Sequence, residues 1–300
     1  MSDGLVWDWR PDLRDPLLVA AFEGWNDAGD AASGAADWLI RRSRARRFAS
    51  IDPEEHIDYQ SHRPLVELVE GVTRSITWPA NAYFAASFPE RDMVVLRGVE
   101  PNVRWKSFCR TVLTVAAETG CSTVVTLGAL LGDVPHTRAV RVTGAATDPA
   151  MVGQLGLVRS RYEGPTGIVG VLHDACQSGG VPSASLWAPV PHYVATPPNP
   201  PGTRALLERL AALTAISLDL GDLEEQADAW RAQVGTPVPY EAVAHVCSIW
   251  AHRQCAGQAA CQPRSAGIDE CCARSIAASA IASTRPPISL NPSPTVFPMR

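Results

Sequence analysis

The sequence predicts an α/β protein, a three-layer sandwich with a mostly parallel central sheet. Three observations carry this prediction. Residues 17–22 form an apolar run without polar alternation, and 93–96 and 121–127 give further apolar strand signals, as expected of parallel strands covered on both faces. The first two run through glycine-bearing turns into stretches of helical spacing, the strand, turn and helix unit of such sheets. Short turns rich in glycine or proline then join alternating strands and helices as far as residue 235, with no internal boundary.

Residues 1–16 are an entry segment, with Trp7 and Trp9 expected to pack and Pro11 and Pro16 setting the approach to the first strand. The strand at 17–22 leads into Glu23-Gly24-Trp25-Asn26-Asp27-Ala28-Gly29-Asp30. Asp27 or Asp30 can accept hydrogen bonds from the free amides of the helix that follows, whose Ala31, Ala32, Ala35, Trp38 and Leu39 share one face. In open parallel sheets ligands and partners are met at the carboxyl ends of strands, which makes Glu23, Trp25, Asn26 and Asp27 candidate site residues. A purely local role, capping and turning the chain, stands beside that one.

A short strand at 47–51 follows the basic run 41–47, which reads as a solvated helix end complementing the helix dipole. Residues 57–78 predict a β-hairpin or a pair of short strands beside the main sheet. The strand at 92–98 turns through Gly98-Val99-Glu100-Pro101-Asn102 into a helix over 103–119, with Trp105, Phe108, Val112, Val115 and Ala116 on one face. The next strand, 121–127, leads into a loop over 128–138 that collects Asp133, His136 and Arg138. Proton transfer or anion binding is within reach of those three, but no Ser or Cys elbow accompanies them. A strand at 140–143, a helix from 148 to 155, a helix over 168–178, a strand at 183–187 and helices over 203–213 and 221–234 complete the pattern. The glycines and prolines of 161–167 match neither common phosphate-loop spacing.

Composition narrows the function. A net charge of -5 and the lack of a basic stripe interleaved with aromatics argue against nucleic-acid binding. Lys106 is the single lysine among 26 basic residues, so chemistry that needs several placed lysines is excluded. The polar opening residues and the absence of a long apolar run predict a cytoplasmic protein with no membrane span. Cys109, Cys121 and Cys176 lie within apolar patterns and read as reduced, packed thiols.

Four separate motifs resemble the proteasome assembly chaperone 2 family in its actinobacterial form. They are Phe22-Glu23-Gly24-Trp25-Asn26-Asp27-Ala28-Gly29-Asp30, Arg97-Gly98-Val99-Glu100-Pro101-Asn102-Val103-Arg104-Trp105, the loop from Leu127 through Asp133 and His136 to Arg138, and Tyr162-Glu163-Gly164-Pro165-Thr166-Gly167-Ile168. The resemblance covers roughly residues 5–235. It implies a sandwich similar to the nucleoside phosphorylase fold and assembly into homo-oligomers, with trimers the form associated with the bacterial branch. It also implies kinship with chaperones that dock on proteasome α subunits, and carries an older label of ATP-grasp or carboxylate-amine ligase. One lysine and no glycine-rich phosphate loop speak against that label. Docking chaperones of this family often end in a hydrophobic-Tyr-any tripeptide, whereas this sequence ends Pro298-Met299-Arg300.

Residues 241–300 hold five of the eight cysteines and three acidic residues. The segment 236–300 is expected to be an atypical, disordered tail rich in Cys, Pro and Ser, separate from an α/β domain over 1–235. With no C-x-x-C pair, zinc binding is not expected there, and a reading-frame change that replaced the native ending accounts for the composition. If neither neighbouring frame of the gene encodes an acidic helical continuation, that account is wrong. The sequence thus leads to a non-catalytic, protein-binding homo-oligomer without cofactor or metal. Its candidate binding surface comprises Glu23, Trp25, Asn26, Asp27, Glu100, Asn102, Asp133, His136 and Arg138. A small-molecule enzyme using the same loops is the alternative, and it requires Glu23, Asp27, Asp133, His136 and Arg138 to surround one cavity.

Overall fold

The structure, a computed structural model, describes residues 4–69, 73–147, 158–159 and 163–235. The chain divides after Gln233, and the elements below form the unit before that point together with the end of its last helix. The helix expected over 148–155 and the tail from 236 lie outside the described residues.

Nine strands make one sheet in the order β1-β3-β6-β7-β2-β8-β11-β9-β10. These are β1 (Leu5–Trp7), β2 (Leu17–Glu23), β3 (Arg46–Ile51), β6 (Asn81–Ser87), β7 (Asp92–Val99), β8 (Val124–Gly132), β9 (Thr143–Ala146), β10 (Val158–Arg159) and β11 (Ser183–Pro191). The four central strands β7, β2, β8 and β11 run parallel. On one side β6, β3 and β1 continue the sheet antiparallel, and on the other β9 turns antiparallel to β11. The parallel character is therefore concentrated in the centre, with one further parallel pair, β9 and β10, at the edge. Strands β4 (Leu65–Val69) and β5 (Thr73–Thr77) pair only with each other, which is the hairpin beside the sheet that the sequence predicts.

The lack of alternation in β2 has a direct cause. Leu17, Val19 and Ala21 enter one core cluster, and Leu18, Ala20 and Phe22 enter the other. Strand β7 divides the same way, Met93 and Val95 against Val94 and Leu96. The first cluster is covered by α1 (Ala31–Ser43), α4 (Pro200–Thr214) and α5 (Gly221–Gly235), and the second by α2 (Trp105–Glu118) and α3 (Ile168–Ser178). The predicted face of α1, from Ala31 to Leu39, is wholly buried in the first cluster. The Trp38 indole donates to both carboxylate oxygens of Asp222, at 3.2 and 3.0 Å, tying α1 to the first turn of α5.

Several boundaries differ from those expected, each for a reason outside the local segment. Strand β8 extends to Gly132 because β11 runs beside it, residue for residue, from Val124 opposite Ser183 to Gly132 opposite Pro191. Half of the expected loop 128–138 is thus strand. Helix α4 begins at Pro200 rather than 203, since the Asn199 side chain accepts from the Gly202 amide and prolines occupy the first helical positions, where no amide is needed. Strand β1 was read only as an entry segment; it pairs with β3 and sets Trp7 against Phe48 at 5.5 Å. The basic run ends α1 and is spread over separate contacts, with Arg42 pairing with Asp219, Arg47 pairing with Asp8 and Arg46 lying over Trp9.

Phe22 is fully buried and meets Phe108 edge to face at 5.7 Å. Truncation to Ala leaves a cavity between β2 and α2, so Phe22→Ala is expected to lose about 3–5 kcal/mol in urea unfolding. A loss below about 1 kcal/mol, the range of surface changes, would contradict this placement.

Candidate functional site

The carboxyl ends of β2, β7, β8 and β11 lie side by side, as parallel strands require, and their loops carry the candidate residues in two groups. The first is built around Glu100. Its Oε1 accepts from Asn26 Nδ2 at 2.7 Å and from the Ile168 amide at 2.8 Å, and its Oε2 accepts from the Trp25 amide at 3.3 Å. Its own amide donates to the Glu23 carbonyl at 2.8 Å. One carboxylate therefore ties the β2 loop to the first turn of α3, where an anion is favoured by free amides and the helix dipole. Two glycines make room for it. Gly24 has φ of 123°, and a Cβ at Gly167 would overlap Asn26 and Glu100.

Asn26 and Asp27 are consumed in this arrangement. Asn26 is buried, and its carbonyl accepts from the Ala129 amide at 2.7 Å, stitching the loop to β8. Asp27 Oδ1 accepts from the Ala32 and Ser33 amides at 2.7 and 3.1 Å, so Asp27 caps α1. Burial raises its carboxyl above the ordinary 3.8, against the lowering effect of those hydrogen bonds. Asp30, the other capping candidate, makes no capping bond; it sits in the left-handed region.

Glu23 pairs with Arg97 at 2.5 Å, and Arg97 grips Asp37 of α1 through Nε and Nη2 at 3.0 and 3.2 Å. Burial works against the Arg97 charge, but its bonds and attraction to Asp37 and Glu23 prevail and raise its pKa. Asn102 Oδ1 accepts from the Asp58 amide at 2.8 Å and lies 3.2 Å from His62 Nδ1. In contrast, Trp25 is 64% exposed, and Val103, Leu130 and Leu131 are also open to solvent.

The second group lies beyond β8. Asp133 and Arg138 are exposed. The His136 amide donates to Tyr193 Oη at 2.8 Å, and its Nδ1 lies 2.9 Å from the same atom. His136 and Arg138 line a cavity of ≈ 240 Å³ with Arg141, Pro189, Pro191, Asn199 and Trp230. Of the five side chains that the enzyme alternative requires around one cavity, these two are there. Glu23 is ion-paired, Asp27 caps a helix, and Asp133 is not in the lining. Among the described residues no cluster of His, Cys, Asp and Glu could hold a metal, and no helix is long and apolar enough to cross a membrane.

Tyr193, Asn199 and Trp230 were missed at the sequence level. Asn199 before two prolines is a legible cap signature. Nothing local marks Tyr193 or Trp230, which reach His136 only through the fold.

Two predictions follow from the first group. Glu100→Ala leaves the Asn26, Trp25 and Ile168 donors without their acceptor and is expected to destabilise by about 1–3 kcal/mol, with faster hydrogen exchange at the Trp25 and Ile168 amides; unchanged exchange there would refute the clamp. Asp27→Asn keeps a carbonyl acceptor for the α1 amides but cannot ionise. Because the folded pKa of Asp27 lies above the unfolded one, the native state holds the extra proton. Its contribution is complete below the unfolded value and is lost as pH rises through the folded value. The stability of the parent protein relative to Asp27→Asn should therefore increase as pH is lowered through that window, and a difference independent of pH in urea titrations would be the contrary result.

Residues 21–236 match the PAC2 family model. A PAC2 family protein of Streptomyces avermitilis is 52% identical with a TM-score of 0.70, the match covering 73% of this chain and 94% of that one. A proteasome-assembly chaperone homologue of Mycobacterium tuberculosis is 48% identical, also with a TM-score of 0.70, over 74% and 95% of the two chains. An archaeal proteasome activator of Pyrococcus furiosus shares the fold at 18% identity, with a TM-score of 0.63 over 77% and 97%. No curated protein matches. With the family model matching more than half of the chain, and about half of the aligned residues identical to two solved actinobacterial proteins, the chain belongs to the PAC2 family.

Proposed function

We propose that this chain is a non-catalytic, protein-binding assembly factor of the proteasome assembly chaperone type, acting as a homo-oligomer in the cytoplasm and meeting proteasome α subunits. One observation carries this reading. At the carboxyl edge Asn26, Asp27 and Glu100 are spent on holding the loops, while Trp25, Val103, Leu130 and Leu131 are left in water. Exposed apolar side chains on rigidly held loops suit a protein partner. The names of the related proteins support the partner class, since one is a proteasome-assembly chaperone homologue and another a proteasome activator.

Self-association has its own surface in the hairpin β4–β5. Val66 and Ile76 pair across its strands, Leu68 shares their face by alternation, and all three are exposed. Trp78, just past β5, is also exposed and meets Tyr59 with tilted rings at 4.9 Å. An isolated two-stranded ribbon is marginal in water, so covering this face with another protomer stabilises both. The oligomer includes the trimer as its expected form.

Two experiments test the proposal. Light scattering should give an oligomeric mass for the parent protein and a smaller one for Leu68→Glu/Ile76→Glu; a monomeric parent would end the self-association reading. Pull-down from a proteasome-containing actinobacterial lysate should recover α subunits with the parent chain and lose them with Trp25→Glu/Leu131→Glu. Recovery of no α subunits by the parent chain would overturn the proteasome reading.

A further inference from the structure

We propose that the cavity beyond β8 is a binding site for a small organic anion, a carboxylate or phosphate monoester carried on a single ring. The cavity of ≈ 240 Å³ is bounded by the 134–141 loop, the end of β11 at Pro189 and Pro191, the start of α4 at Asn199 and Pro201, and Trp230 of α5. This lies below the usual range for drug-sized ligands, which fixes the modest size of the guest.

The lining is one-sided in its chemistry. Its polar members are His136, Arg138, Arg141 and Asn199, and no carboxylate is among them. Among the described residues neither arginine is in an ion pair. Asn199 is 1% exposed; its Oδ1 is taken by the Gly202 amide at 2.8 Å, and its Nδ2 has no acceptor. That Nδ2 is itself closed off, so the charge of the wall is carried by the two arginines. Tyr193 Oη accepts from the His136 amide and lies 2.9 Å from Nδ1, which holds the imidazole at the wall. No negative side chain offsets Arg138 and Arg141 in the lining. The remaining walls, including Val134, Val140, the prolines and the Trp230 indole, are apolar and call for an organic body rather than a bare ion.

This inference is independent of the assembly role, and its test leaves that role untouched. The full-length protein is titrated calorimetrically with phenyl phosphate and benzoate, with phenol as the neutral ring and inorganic phosphate as the bare anion. Saturable binding of at least one ring-bearing anion is expected, weakened about tenfold or more for phenol and for inorganic phosphate. The exposed pair Arg138→Gln/Arg141→Gln should produce a similar loss with the fold intact by circular dichroism. Asn199→Asp retains an oxygen for the Gly202 amide but adds a negative charge at the wall, and it too should weaken binding. No saturable binding of either ring-bearing anion, equal affinity for inorganic phosphate, or unchanged affinity in the arginine pair would overturn the proposal.

Discussion

The carboxyl edge of this protein depends on a single carboxylate. Glu100 collects the Asn26 amide group, the Trp25 backbone and the first amide of α3, and its own backbone is tied to Glu23. A charged acceptor at a helix N-terminus forms bonds stronger than neutral ones and is favoured by the dipole. The same contact fixes where β2 ends, how the following loop leaves the sheet and where α3 can dock. Gly167 is required by it, because a Cβ there would overlap Asn26 and Glu100, and Gly24 by its φ of 123°, which side chains rarely adopt.

That constraint decides what the loops can offer to other molecules. Asp27 has its capping oxygen turned to α1, Glu23 and Asp37 neutralise Arg97, and Asn102 holds the segment at 58–62. Chemistry that needs a free carboxylate beside a base has little to work with there. The loops instead hold Trp25, Val103, Leu130 and Leu131 outward on a frame that is hydrogen-bonded at its root. Rigid presentation lowers the conformational entropy lost on association, which is how a modest apolar surface can bind a partner. The donor-lined cavity beyond β8 is a separate feature, shaped by Asn199, Trp230 and the arginines of the 134–141 loop.

The fold was readable in the sequence where burial on both faces leaves a local trace. Residues 17–22 and 93–96 carry no polar position because each side of the sheet is covered, and the small residues of α1 announce a helix lying close to it. The antiparallel strands on one side of the centre were harder. β1 is three residues long, and β6 interrupts its burial pattern at Phe84 and Ala85, so neither produces a clean period. Their antiparallel pairing, which makes the sheet mixed, is a property of neighbours and not of either segment. β8 was read short for a similar reason: Gly128 to Gly132 are strand only because β11 lies alongside.

The candidate site divides along the same line. Glu23, Asn26, Asp27, Glu100 and His136 could be named from the sequence because polar residues after apolar strands mark the carboxyl edge. Whether each faces a partner or serves the fold was settled by contacts across long separations, 74 residues from Asn26 to Glu100 and 68 from Glu100 to Ile168. Local sequence determined the order of strands and helices, since periodicity and turn chemistry act within one segment. Only the tertiary structure decided which polar groups are spent internally, which apolar ones remain in water and which donors meet around a cavity, because hydrogen-bond satisfaction and burial are settled between segments and not within them.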